Sequence, residues 1–173
     1  MTNIAIDSDV IVASQIENEG NHAESKKFMD FILTNKINEL YYFTSIFTFL
    51  ELASAMIRRT KDQDKAYSLL YKIRTNWKEM INPLPLLDSK KALSSKAFST
   101  NLIDKLIETS IKFGTKSGDT IQAQAIVENQ IDFFVTWNKK DFIELEKQIP
   151  NFKVLTPTEM FDQIIKMKEI KDK

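Results

Sequence analysis

The sequence predicts one α/β domain, a mostly parallel central sheet of four to five strands in a three-layer arrangement with flanking helices. Short apolar runs alternate along the chain with segments of helical periodicity, and parallel strands need such helices as crossovers. The 173 residues, 43% of them hydrophobic, suffice for one core and are too few for two comfortable ones, so residues 1–173 are expected to form a single domain.

The elements follow in order. Residues 3–7 read as a fully apolar strand, the kind buried on both faces of a parallel sheet, followed by a polar stretch. In "NHAESKKFMDFIL", Asn21 and Glu24 have capping-box spacing, and Phe28, Phe31 and Ile32 share one helical face. "YYFTS" predicts a second strand ending at Ser45, which can cap the helix "IFTFLELASAMIRR". Ala66, Leu69, Leu70, Ile73, Trp77 and Met80 recur at helical spacing and predict a long amphipathic helix. In "INPLPLL", Pro83 and Pro85 stop that helix and allow at most an edge strand.

Residues 89–113 are helical in pattern, with a break expected near Ser99–Asn101 and a stop at Gly114. "SGDTIQAQAIVEN" begins a further helix in which Asp119 and Gln122 have capping-box spacing. "IDFFVT" and "FKVLT" predict two more strands, and "PTEMFDQIIKM" a last helix with proline in its first turn.

Composition removes several kinds of chemistry. Lysine plus arginine and aspartate plus glutamate number 24 each, so no overall field draws the chain to polyanions or membranes, and nucleic-acid contact must come from local patches. The absence of cysteine excludes disulfides, thiolate metal sites and cysteine nucleophiles. A single histidine rules out a histidine-pair acid–base mechanism, and His22, near a helix start, is assigned no role. With no basic leader pattern and no apolar run of about 18 residues, a cytoplasmic protein is expected.

The residues that invite a functional reading are acidic. In "IAIDSDVIVA", Asp7 and Asp9 interrupt an otherwise apolar run. In a parallel sheet, ligands gather at the carboxyl ends of the strands where the strand order reverses. Asp7 ends the first predicted strand, Glu51 lies just past the second, Asp119 begins the helix before the third, and "TWNKKD" follows it. Each alone is as well explained by a turn, a cap or a solvated face. If they converge, their repulsion must be relieved by raised pKa values or by a cation, and hard oxygen ligands favour Mg²⁺ or Mn²⁺.

"IAIDSDVIVA", "FTSIFTFLELASAM" and "SGDTIQAQAIVENQIDFFVTWNKKDF" together resemble the PIN-domain nucleases, particularly the VapC-type toxins of toxin–antitoxin pairs. "FKVLTPTEMF" is similar to that family's last strand and helix, so the resemblance spans nearly the whole chain. It implies that Asp7, Glu51 and Asp119 bind a divalent ion, with Ser8 or Asp9 beside the first acid and Thr136 as the hydroxyl at the end of the later strand. Asn138 stands where many members carry an acid, and Asp141 is placed to supply that charge. The activity implied is Mg²⁺- or Mn²⁺-dependent RNA hydrolysis in a homodimer inhibited by an antitoxin protein.

Arg58, Arg59, Lys61, Lys139 and Lys140 are the candidates for gripping the RNA backbone. Trp137 is expected to pack rather than stack on a base. Two other readings compete. One is a haloacid-dehalogenase-type phosphatase, suggested by "IDSDV" and the Gly-Asp of "SGDTIQAQ", though it lacks a second aspartate after Asp119. The other is a PIN-fold binding module without catalysis, suggested by Asn138.

Overall fold

The computed structural model describes residues 1–45, 47–77, 80–84 and 95–171, with the backbone alone at 49, 76, 95–101, 117, 170 and 171. Among them five strands form one sheet: β1 (Thr2–Ile6), β2 (Leu40–Ser45), β3 (Ile81–Leu84), β4 (Phe133–Val135) and β5 (Lys153–Leu155). Every neighbouring pair is parallel, in the order β3-β2-β1-β4-β5. The strands from β1 to β3 are added in one direction and β4 and β5 in the other, so the switch point lies between β1 and β4.

Eight described helices cover the sheet: α1 (Ser8–Gln15), α2 (His22–Thr34), α3 (Thr48–Thr60), α4 (Gln63–Trp77), α5 (Ser95–Phe113), α6 (Ser117–Glu128), α7 (Ile143–Gln148) and α8 (Pro157–Lys171). Side-chain alternation along the strands divides the core into two layers. Ile4, Ile6, Tyr42 and Val135 face a cluster built with Val10, Ile11, Phe28, Ile32, Leu52, Met56, Ile73 and Ile164 from α1, α2, α3, α4 and α8. Ala5, Phe134 and Val154 point to the opposite side, against Phe113, Ala123, Ile126 and Leu145 from α5, α6 and α7. Burial on both faces is what made the strands read as continuous apolar runs.

The sheet rim is stitched by bonds that set strand register. Asp7 N–H donates to Val135 O (3.0 Å) and Thr136 N–H to Leu155 O (3.0 Å). The buried Thr44 hydroxyl donates to Ile6 O at 3.0 Å. At the other end, Asn3 N–H donates to the Asp132 carboxylate at 2.7 Å, which anchors the approach to β4.

Several local expectations need correction. The first strand ends at Ile6, and α1 follows it directly instead of a polar stretch. Its four buried residues, Val10, Ile11, Ala13 and Ser14, contribute too short a helix for periodicity to be read confidently. Asn21 is the N-cap residue of α2 but makes no side-chain cap bond, so the Asn21–Glu24 box does not form. Ser45 does not cap α3 as its N-cap residue; it lies two residues before the N-cap Phe47, and its hydroxyl accepts from Phe47 N–H at 3.2 Å.

Helix α4 ends at Trp77, leaving Met80 outside it. β3 is an edge strand, as its proline requires, with Pro83 opposite Thr44; Pro85 lies outside the described residues. Residues 95–113 run as one helix with no break at Ser99–Asn101, while residues 89–94 lie outside the described residues. Gly114 has φ 63° and ends α5 in the left-handed conformation glycine adopts readily. Lys116 is the N-cap of α6, which places Asp119 inside the first turn and removes the expected Asp119–Gln122 box.

The segment after β4 folds into a 3₁₀ turn, Lys139–Phe142, and then α7, both too short for a periodic pattern to mark them in the sequence. A capping box not anticipated from sequence opens α8, where Glu159 accepts from Thr156 N–H (2.7 Å) and Thr156 accepts from Glu159 N–H (3.2 Å).

Candidate active site

Asp7 stands where β1 becomes α1. Its extended backbone (φ −76°, ψ 156°) makes it the helix N-cap, and its Oδ1 accepts from Ser8 N–H at 2.7 Å. Because Ile6 pairs with Val135, the residue just past β4, Thr136, comes alongside Asp7. The fully buried Thr136 hydroxyl lies 2.8 Å from Asp7 Oδ2 and 3.1 Å from Asp9 Oδ2. It has one proton to donate, so it cannot serve both carboxylates at once. Asn138 N–H donates to the same hydroxyl (3.0 Å), and Trp137 N–H donates to Asp9 Oδ2 (2.9 Å).

The loop after β4 is thus held by the two aspartates across the switch point. Asp9, expected only to flank the first acid, is the residue that fixes this loop. The sequence signal was its carboxylate in an apolar run.

Glu51 rises from the first turn of α3 and is exposed. A Cβ placed on Gly118 would lie 3.8 Å from Glu51 Oε1, which puts that carboxylate over the start of α6. Gln122 Nε2, donating to Thr48 Oγ1 at 3.5 Å, ties the same two helices. Asp119, half-buried, shares a small cleft with Asp141, Lys116 and Lys140. The Asn138 side-chain amide donates to Asp141, so the two residues form the polar turn.

Charge crowding follows. Burial pushes the Asp7 carboxyl well above the usual carboxylate range; Asp9 and, less strongly, Glu51 raise it further, against the Thr136 and Ser8 hydrogen bonds. Burial also raises Asp9, opposed by its bonds to Trp137 and Thr136. Asp119 is raised by burial, then by Asp141 and Glu51, with Lys116 opposing. Glu51 is thus the last and smallest of the influences that raise Asp7 and Asp119.

All these side chains are hard oxygen donors, the chemistry that Mg²⁺ and Mn²⁺ favour. Asp9 also keeps one buried oxygen, Oδ1, without a hydrogen-bond partner. Donor type and excess negative charge fit a divalent cation. Among the described residues, however, no three His, Cys, Asp or Glu side chains stand close enough to hold one ion. Grasping one requires the exposed Glu51 or the half-buried Asp119 to swing toward Asp7.

The cations are distributed unequally. Lys139 is ion-paired with Glu159 (2.8 Å) and Arg59 with Glu19 (2.7 Å), whereas Arg58 and Lys140 make no ion pair among the described residues. Trp137 packs partly buried against the core, its indole N–H on Ser25 Oγ at 2.8 Å. His22 Nδ1 lies 2.8 Å from Ala13 O, an acceptor that fixes the proton on Nδ1 and accounts for the residue structurally.

The Thr136 hydroxyl lends itself to a direct test. Thr136→Val keeps the shape but strands the Asn138 N–H and removes the donor to the aspartates. We expect a loss of about 1–3 kcal/mol in urea unfolding, with Thr136→Ser close to wild type; equal stability of the valine variant would show that the network contributes nothing.

No family model matches this sequence, and no curated protein does. Solved structures do share its fold. VapBC-1 from nontypeable Haemophilus influenzae is 13% identical, over 91% of this chain and 99% of that one, with a TM-score of 0.54. VapBC2 from Rickettsia felis, bound to a DNA fragment from its promoter, is 16% identical over 88% and 97%, with a TM-score of 0.52. VapC20 from Mycobacterium tuberculosis, a sarcin-ricin loop cleaving toxin, is 13% identical over 87% and 98%, with a TM-score of 0.54. At such identities the likeness is one of architecture: the chain has the PIN-type fold of VapC structures, over nearly its whole length.

Proposed function

We propose that this chain, with its VapC-type PIN fold, is a divalent-metal-dependent ribonuclease and the toxin of a toxin–antitoxin pair. The observation that carries the reading is the meeting of Asp7, Asp9 and Thr136 at the switch point, with Glu51 and Asp119 repelling across the same rim. In this reading Asp7, Glu51 and Asp119 hold Mg²⁺ or Mn²⁺. The ion supplies charge compensation at the phosphate and a more acidic water.

The chain's own residues do the rest. Thr136 and the Ser8 N–H fix the Asp7 carboxylate so that its rotamer is set before substrate arrives. Asp9 holds the Trp137 peptide and thereby the turn that carries Asn138 and Asp141. A carboxylate of this rim, its basicity raised by burial and by its neighbours, is suited to take the proton of the attacking water. Asp141 adds the fourth negative charge near Asp119, where Asn138 contributes an amide instead. Lys140 beside the rim and Arg58 along the neighbouring groove are positioned to neutralise the flanking phosphates; Lys139 and Arg59 reach them only by leaving Glu159 and Glu19.

The partners implied are RNA, an antitoxin protein and a second copy of the chain. Exposed Tyr67 and Tyr71 on α4, and Ile103, Ile107 and Ile111 at four-residue spacing on α5, are apolar surface for such protein contacts. No helix among the described residues is long and apolar enough to cross a membrane; a cytoplasmic location accords with an RNA substrate.

The experiment is cleavage of single-stranded RNA by the purified chain in Mg²⁺ or Mn²⁺, with and without EDTA. We expect cutting that EDTA abolishes and added Mn²⁺ restores. Cutting that persists in EDTA would remove the metal role, and no cutting with either ion would remove the nuclease.

A further inference from the structure

Between α1 and α3 lies a groove of about 580 Å³ that runs away from the acidic rim. Successive turns of α3 line it with Leu50 and Glu51, then Ser54 and Ala55, then Arg58 and Arg59. Opposite them α1 contributes Asp9 and Val12. One end is therefore acidic, the middle has the small side chains of Ser54 and Ala55 facing Val12, and the far end carries the two arginines with Glu19 beside them. Seven residues of helix separate Glu51 from Arg58, about 10 Å along the axis.

The two arginines are not equivalent. Arg59 is engaged by Glu19 at 2.7 Å, which fixes the far wall, while the Arg58 guanidinium has no ion pair among the described residues. Leu50 stands 65% exposed at the lip, an apolar side chain left in water beside a charged cleft.

We infer that this groove is a subsite for one unpaired nucleotide next to the bond cleaved, its base covered by Leu50 and Val12 and its phosphate held by Arg58. The inference rests on the nuclease reading and adds the form of substrate. The volume falls in the range of pockets that enclose one small ligand. A planar guanidinium forks onto phosphate oxygens. A base paired in an A-form duplex cannot enter a groove between two helices, whereas an unpaired base is free to turn out and be covered. Charge complementarity thus selects a nucleotide, and the cleft selects single strands.

The test uses the full chain carrying Asp7→Asn, so that binding is read without cutting. Its probes are a fluorescein-labelled single-stranded oligoribonucleotide, the same oligomer with one base at a time removed, and its blunt duplex. Adding Arg58→Ala should weaken single-strand binding about tenfold and lower the salt dependence by about one counterion, with Arg59→Ala changing it much less. One abasic position should lose affinity, and that loss should vanish in Leu50→Ala. The duplex should bind as weakly as single strands bind to the Arg58→Ala protein.

Unchanged affinity and salt slope in both Arg58→Ala and Arg58→Glu would overturn the subsite and leave the groove to a protein partner; so would a flat abasic scan. The two readings fail separately. Binding that depends on Arg58 in a chain that never cuts RNA sinks only the nuclease, and cutting indifferent to Arg58 sinks only the subsite.

Discussion

Asp7→Asn and Asp119→Asn should each lower Mg²⁺-dependent RNA cutting by at least about 10²-fold, since loss of partners one step behind metal ligands already costs about 10–100-fold. Both substitutions keep size and polarity. At Asp7 the asparagine oxygen can keep the Ser8 N–H cap of α1 made by Oδ1, while its NH2 takes the place of Oδ2 and donates to the Thr136 hydroxyl, which can then give its proton to Asp9, so the fold is expected to survive. Full activity in both variants would remove the proposed site.

The same Asp7 variant carries a stability signature with a definite sign. Burial, then Asp9, hold the Asp7 carboxyl above its ordinary range. A carboxyl raised in the folded state contributes stability that is complete below the ordinary carboxylate range and lost as pH rises through the raised value. Asp7→Asn removes the charge that rising pH creates. In metal-free buffer the variant should melt higher than wild type at about pH 7, by roughly 2–4 °C per kcal/mol of relieved repulsion, and the gain should vanish near about pH 3. Calorimetry across that interval checks it, and a variant that melts lower at neutral pH would contradict the crowding of acids at this rim.

Phe134→Ala should be the most destabilising of the substitutions considered. Phe134 is fully buried on β4, and its ring meets Phe142 edge-on with centroids 4.7 Å apart. Truncating such a phenylalanine costs about 3–5 kcal/mol, a large share of the about 5–15 kcal/mol that holds a domain together. Urea unfolding should show that loss, while Ile143→Ala, at a half-exposed position, should stay within about 0.5 kcal/mol. Because Phe142 ends the turn bearing Asn138 and Asp141, the cavity at Phe134 should also loosen the site. A loss below about 1 kcal/mol would mean that this layer repacks and does not position the turn.

Much of the architecture was open to reading from residues alone. The central strands at Ile4 and Phe134 are buried on both faces, and that burial is written as short apolar runs; the edge strand β5 alternates instead, with Lys153 exposed and Val154 buried. The long helices declare themselves through spacing, since a half-exposed helix must repeat its apolar residues every three or four positions. Pro83 announced an edge strand because it has no N–H to give a ladder.

Local signals misled where tertiary contacts outweighed them. The spacing of Asn21 with Glu24, and of Asp119 with Gln122, fits a capping box, yet neither forms. At α6 the helix starts three residues earlier than Asp119 would cap it, with Lys116 as N-cap, and at α2 Asn21 keeps the N-cap position without a side-chain bond; a cap is worth only about 1 kcal/mol, small beside packing. The short α1 and α7 escaped for a related reason: six or eight residues hold too few turns for a period to stand out.

The residue types at the acidic positions were legible in the chain; their association was not. Asp7 and Thr136 lie 129 positions apart and meet only because β1 and β4 pair in one register across the switch point. The same holds for Asp9 with the Trp137 peptide, and for the contrast between Arg59, taken by Glu19, and Arg58, which has no ion pair among the described residues. Composition and periodicity are properties of neighbours along the chain, and they settle which segments are buried and in what form. Proximity between distant carboxylates depends on strand order and register, which come from packing two apolar faces at once.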